Sequence, residues 1–179
     1  ICDADVLCTL DDRQFAAGLA EIIKMALTSD ESLFEEIENC DDIKANIDVI
    51  EQKAIAIKRD VVEQDPIESG LRKVLNFGHT VGHAIESVEQ GKLLHGECVA
   101  LGMLPMCDQK VRARLEAVLA KFGLPTEFKW SAGELLPYIK HDKKAESDCV
   151  SVVLVNKIGS FEFAKETADE ISERVEKTR

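Results

Sequence analysis

Leu75-Asn76-Phe77-Gly78-His79-Thr80-Val81-Gly82-His83-Ala84-Ile85-Glu86 holds two of the chain's four histidines, each directly after a glycine. A third, His95, follows a few residues later and precedes Gly96. Spacings of three and four bring side chains to one face of a helix, so Asn76, His79, His83 and Glu86 are expected along a single helical stripe. A glycine beside an imidazole leaves room for a charged ligand or for the backbone of a neighbouring helix. The stretch reads as a closely packed helix that carries a site.

The flanking sequence is also helical in pattern. Over residues 12–28, Phe15, Leu19, Ile22, Ile23 and Ala26 make an apolar stripe, with Glu21 and Lys24 near its edge. A short helix is expected over Glu31–Asn39, capped by Ser29 or Asp30. Ile43, Ile47, Ile50, Ala54, Ile57 and Val61 repeat by threes and fours in a long helix that should stop before Asp65-Pro66, because a residue preceding proline resists the α region. Residues 66–72 read as a turn bringing Glu68 and Arg72 towards the histidine helix, which should run to about Glu89.

After a short connection, a helix from His95 is ended or kinked by Pro105. Residues 108–122 form another, closed by Gly123. Ser131-Ala132-Gly133-Glu134 is a capping box opening a helix to about Lys140. Val150–Val155 and Ser160–Ala164 read as a β-hairpin around Asn156–Gly159, and a polar helix follows from about Ala168. The expected fold is mainly α: a multi-helix domain with a small β-hairpin near the C-terminus.

A chain of 179 residues that is 45% hydrophobic suffices for one globular core. Its net charge of −12 argues against nucleic acid as a partner, since phosphate contacts need a basic surface. Neither a long apolar run nor a basic-then-apolar N-terminal pattern is present, so no membrane partner is expected and the location expected is cytoplasmic. The cysteines (Cys2, Cys8, Cys40, Cys98, Cys107, Cys149) form no C-x-x-C pair and adjoin no histidine, which points to reduced thiols and not to disulfides or a thiolate zinc site. There is no G-x-G-x-x-G after a strand and no strand–helix alternation, so no dinucleotide-binding domain is expected within these residues.

Two imidazoles and one carboxylate suit zinc with an open fourth position, the arrangement of a catalytic site. His79 and His95 meet if their helices fold back on each other. Spacing alone leaves Glu21, Glu68, Glu86 and Glu97 as candidates for the carboxylate. The competing reading makes the histidines packing residues bonded to backbone or carboxylates. Lys24, Lys58, Arg72, Asn76 and the Asp142-Lys143-Lys144 cluster, in an otherwise acidic chain, suit a polyanionic small substrate.

Five segments, Ala17–Lys24, Glu68–Arg72, Leu75–Glu86, Leu94–Met103 and Asp142–Lys144, resemble in sequence and order the 3-dehydroquinate synthase family, specifically its C-terminal metal-binding domain. The resemblance covers essentially the whole chain, and the L-N-F-G-H-T-x-G-H run is its most specific part. It implies that residues 1–179 form a helical metal- and substrate-binding domain, with the N-terminal NAD-binding domain absent from the chain. It further implies Glu21, His79 and His95 as ligands of zinc or cobalt. Lys24, Lys58, Arg72, Asn76 and His83 are implied as catalytic and substrate-binding residues, Glu68 as a substrate-binding residue that supports the pocket, and one or both of Lys143 and Lys144 as further substrate contacts.

The implied reaction converts 3-deoxy-D-arabino-heptulosonate 7-phosphate to 3-dehydroquinate and phosphate in the shikimate pathway. NAD would be held mainly by the absent domain, the full-length enzyme would be a homodimer, and the isolated chain would be inactive. One small departure is Thr9-Leu10-Asp11, where the family usually has Pro after Leu. The alternatives are another sugar-phosphate cyclase, of the deoxy-scyllo-inosose or valiolone synthase type, or a non-catalytic helical interaction module.

Overall fold

The computed structural model describes residues 4–141 and 149–179; Lys143 and Lys144 fall outside them. Helix α1 (Asp12–Ser29) opens where the Asp11 carboxylate accepts from the Gln14 amide at 2.8 Å, and it buries Leu19, Ala20, Ile23, Ala26 and Leu27. Asp30 ends α1 and caps α2 (Glu31–Asn39) through the Leu33 amide, so the cap is Asp30 and not Ser29. Helix α3 (Ile47–Gln64) starts later than its apolar repeat suggests, because Ile43 lies in a turn whose Ala45 amide is held by Asp42. It stops at Asp65, as the following proline requires.

The histidine stretch corrects one expectation. Asn76 is not on the histidine helix: it ends a 3₁₀ segment (Leu71–Asn76), and α4 (His79–Glu89) begins only after Gly78. The reason is a close approach. Gly78 has φ 76°, a left-handed conformation that disfavours any side chain, and an added Cβ would lie 2.6 Å from Met103 Cγ. Helix α5 (His95–Met103) then runs back antiparallel to α4, with Gly82 against Cys98 and Gly102 against Gly78. Pro105 sits in the 3₁₀ turn Leu104–Met106 that ends α5, as expected.

Helix α6 (Gln109–Lys121) is capped by Asp108 and closed by left-handed Gly123. Helix α7 (Ala132–His141) follows Ser131, whose amide and hydroxyl both donate to Glu134. Strands β1 (Cys149–Leu154) and β2 (Glu162–Thr167) pair antiparallel, from Cys149 opposite Thr167 to Leu154 opposite Glu162. The second strand is displaced towards the C-terminus relative to the reading from sequence. Its connecting loop is docked on the helices, with the Gly159 amide donating to Leu27 O at 2.8 Å. A Thr167–Glu170 capping box opens α8 (Ala168–Thr178).

Leu33, Phe34, Phe77, Ile85, Leu101 and Leu104 are fully buried in one continuous core. Cys40, Cys98, Cys107 and Cys149 are free thiols. Burial pushes Cys98 up to about 12 and Cys107 higher still, so both are unreactive packing residues. Among the described residues, no helix is long and apolar enough to cross a membrane.

Candidate metal centre and adjoining cavity

Three helix faces meet at one corner because glycine lets their backbones approach. A Cβ on Gly96 would lie 1.9 Å from Ala17 O, so α5 crosses α1 one turn before Glu21. A Cβ on Gly102 would lie 2.1 Å from Gly78 O, which brings α5 equally close to the start of α4. His79 and His95 are the first residues of α4 and α5, so both imidazoles stand beside Glu21.

Glu21 Oε1 is 3.8 Å from His79 Nε2 and 3.8 Å from His95 Nε2. The other nitrogen of each ring faces away and has its own partner. His79 Nδ1 lies 3.1 Å from Phe77 O, and His95 Nδ1 lies 3.3 Å from Glu86 Oε2. A carbonyl or carboxylate oxygen accepts, so Nδ1 carries the proton in both rings and each Nε2 keeps its lone pair for the space in front of Glu21. Glu21 Oε2 accepts from Lys24 Nζ at 2.6 Å. Glu21 Oε1, by contrast, is buried with no hydrogen-bond partner.

An orphaned carboxylate oxygen facing two imidazole lone pairs is costly unless a cation completes it. Two ligand atoms on a tetrahedral ion with bonds of about 2.0–2.1 Å stand about 3.4 Å apart, so the present separations need only small side-chain adjustments. The residues fit a divalent metal. The rings of His79 and His83 meet edge to face at 5.2 Å, and the ligand nitrogens of His79, His83 and His95 all lie within 4.8 Å of one another, so His83 borders the same space.

The electrostatics agree with this arrangement. Burial, then the neighbouring Lys24 charge, pushes His79 down to about 4, which keeps it neutral, the form a metal requires. Burial raises Glu21, but the charge and the hydrogen bond of Lys24 oppose that, and the carboxyl lies below its ordinary value, hence ionised. Burial also lowers Lys24, which is only 4% exposed and leans on Glu21 for its charge.

Spacing left four carboxylates open, and the folded chain places each differently. Glu97 is engaged by Arg13 at 2.7 Å and by the Leu94 amide at 2.7 Å. Glu68 accepts from Asn76 Nδ2 at 2.8 Å. Glu86 reaches His95 from behind. Of these four, Glu21 is the one whose oxygen faces both Nε2 atoms.

Next to this corner opens a cavity of about 680 Å³, walled on one side by Glu68, Asn76, His79 and His83. The opposite wall is the hairpin, through Ser151, Phe163 and Lys165. Lys73, Thr80 and Lys165 line this space and were not singled out from sequence. Ser151 and Lys165 are cross-strand partners, but nothing local signals which hairpin face turns to α4.

Lys58 instead lines an apolar groove between α1, α3 and the 3₁₀ segment Ala4–Thr9, close enough to Lys24 for the charges to interact. The Arg72 guanidinium donates to Pro66 O at 2.9 Å and does not line the cavity. A further missed residue is Asp65, which accepts from the amides of Ser69, Gly70 and Arg72 and from the Ser69 hydroxyl. These bonds, the Arg72 and Gly70 amides foremost, drive its carboxyl well below the usual range and tie down the loop that presents Glu68. The available signal was an Asp opening a Pro-x-x-Ser-Gly turn, whose amides a carboxylate readily gathers.

A family profile described as "3-dehydroquinate synthase C-terminal" matches residues 18–145. The 3-dehydroquinate synthase of Streptococcus mutans serotype c is 35% identical over 190 residues, covering 98% of this chain and 54% of that protein. That of a Synechocystis strain is 39% identical over 189 residues, covering 94% and 52%. The chain thus spans about half the length of the curated relatives it matches. Two solved structures share the fold. A 2-epi-5-epi-valiolone synthase from Streptomyces hygroscopicus, with NAD⁺ and Zn²⁺ bound, has a TM-score of 0.84 at 23% identity, covering 98% of this chain and 54% of its own. A 2-deoxy-scyllo-inosose synthase complexed with carbaglucose-6-phosphate, NAD⁺ and Co²⁺ has a TM-score of 0.80 at 22% identity, covering 98% and 55%.

Proposed function

The chain belongs to the 3-dehydroquinate synthase family through its C-terminal domain, and from that premise we propose that residues 1–179 are the metal- and substrate-binding half of such an enzyme. The reaction is the conversion of 3-deoxy-D-arabino-heptulosonate 7-phosphate to 3-dehydroquinate with release of phosphate. Glu21, His79 and His95 hold zinc or cobalt. The observation that carries this reading is the buried, unpartnered Glu21 Oε1 facing two imidazole Nε2 atoms at 3.8 Å. It also disfavours the interaction-module reading, in which a buried carboxylate oxygen would have no reason to stay unsatisfied.

A metal at this corner supplies Lewis acidity towards a substrate hydroxyl, and NAD, bound by the other half of the longer protein, supplies reversible hydride exchange. Lys24 holds Glu21 Oε2 and so turns Oε1 towards the histidines. His79 stays neutral below its ordinary titration range, ready to ligate at neutral pH. Asn76, oriented by Glu68, donates into the cavity with His83 alongside, where the anionic end of the substrate is held. Lys73 and Lys165 place two more cations on the cavity wall, whereas Lys58, Arg72, Lys143 and Lys144 are proposed as substrate contacts of the longer protein on the family resemblance alone. The working enzyme is a cytoplasmic homodimer, and the 179-residue chain alone does not turn over.

The test has two parts. Metal analysis after chelator-free purification gives one zinc or cobalt per chain in the parent and none in Glu21→Gln; a metal-free parent overturns the reading. Phosphate release from the heptulosonate phosphate, with zinc and NAD⁺ supplied, stays at background for this chain and appears once the other half of the protein is present.

A further inference from the structure

We propose that Glu86 is a positioning residue for His95, fixing the tautomer and the orientation in which that ring meets the metal; the inference rests on the metal reading above. The two histidines are held by unlike means. His79 is 15% exposed, and its Nδ1 is 3.1 Å from a backbone carbonyl that cannot move independently of the helix start. His95 is 46% exposed; its ring stands 5.3 Å from that of His79 and 5.8 Å from that of His83, and its Nδ1 lies 3.3 Å from the Glu86 carboxylate and not against a backbone carbonyl.

Glu86 stands on the third turn of α4, seven residues beyond His79 and on the same helical face, whereas His95 begins α5 across the connection. The bond therefore closes the α4–α5 turn on the outer side of the metal corner. A carboxylate oxygen can only accept, so the Nδ1 proton points to Glu86 and the lone pair stays on Nε2, towards the metal corner. Glu86 is itself 41% exposed and packs in no core position, so its removal leaves the fold intact.

The experiment uses the purified 179-residue chain, its Glu86→Ala and Glu86→Gln variants, and Glu21→Ala as the control that removes a ligand. Zinc affinity is read by competition with a chromophoric chelator, the ligand field by the visible absorption of the cobalt-loaded chain, and the fold by melting of the metal-free protein. Glu86→Ala is expected to bind zinc about 10- to 100-fold more weakly and to alter the cobalt spectrum, with the metal-free melting curve unchanged. Glu86→Gln, whose amide oxygen still accepts the Nδ1 proton, is expected to recover part of the loss. Parental affinity and an unaltered cobalt spectrum in Glu86→Ala overturn the proposal, as does a Gln variant no better than Ala. If Glu21→Ala loses zinc while Glu86→Ala keeps it, the metal reading stands and this inference alone falls; a parent that binds no zinc removes both.

Discussion

The metal corner and the cavity wall beside it are built on opposite principles. At the corner, α1, α4 and α5 meet through backbone-to-backbone contacts at Gly78, Gly82, Gly96 and Gly102, each with no room for a methyl group. Glu21 and His79 are consequently fixed by helices whose separation cannot vary. Around the adjoining cavity, Asn76, Lys73 and Lys165 are exposed side chains on a 3₁₀ segment and a two-stranded hairpin. The difference separates two tasks. A metal needs ligands set to within a few tenths of an ångström, whereas a flexible polyanion tolerates mobile donors whose charge matters more than their place.

The comparison breaks most decisively at Gly96. Gly96→Ala puts a Cβ 1.9 Å from Ala17 O and 2.6 Å from Ala17 C, so α1 and α5 must part. A loss of about 3 kcal/mol in denaturant melts, the upper end of the usual overpacking range, is expected, with zinc affinity falling alongside. Gly18→Ala, on the same α1, meets nothing within 4 Å and should stabilise by about 0.5–1 kcal/mol. Equal effects from the two substitutions would refute the tight corner.

An intermediate effect is expected at the loop joining the two regions. Asp65 has its folded-state pKa depressed by amide donors, so its contribution to stability is complete above the unfolded value of about 3.9 and drains away as pH falls below it. Asp65→Asn removes that contribution at neutral pH. Circular dichroism titrations from neutral to acid should show the parent losing stability more steeply than the variant below about pH 4. Parallel curves would mean that the loop is held by something else.

The smallest effect belongs to the wall. Lys165→Ala should leave stability within about 0.5 kcal/mol, yet weaken binding of the heptulosonate phosphate, the substrate proposed above, to the zinc-loaded chain about two- to fivefold, less at high salt. A change in melting without a change in binding would place Lys165 in the architecture and not in the site.

Much of this arrangement was legible before folding was considered. The helices around Phe15–Ala26, Ile47–Val61 and Val111–Leu119 announce themselves because amphipathic periodicity is a local property of the chain. The cap at Asp30 and the capping box at Ser131–Glu134 belong to the same class, since a cap acts within three residues. Asn76 was misjudged because a 3.6-residue rhythm runs unbroken through Phe77-Gly78, and only contact with Met103 and Val99 explains why Gly78 turns left-handed there. The wall residues Lys73, Thr80 and Lys165 carried no local mark at all.

By itself the sequence determined that the chain is helical with a terminal hairpin, that its histidines and glycines are concentrated at one place, and which family it joins. Spacing could not choose among four carboxylates and the family resemblance implied Glu21; the folded chain supplies the geometry, placing Glu21 Oε1 before the two imidazoles and Glu86 behind His95. Periodicity describes neighbours along one helix, whereas Glu21, His79 and His95 become neighbours only through the crossing of three helices, and that crossing is set by how closely backbones approach where glycines leave out a side chain.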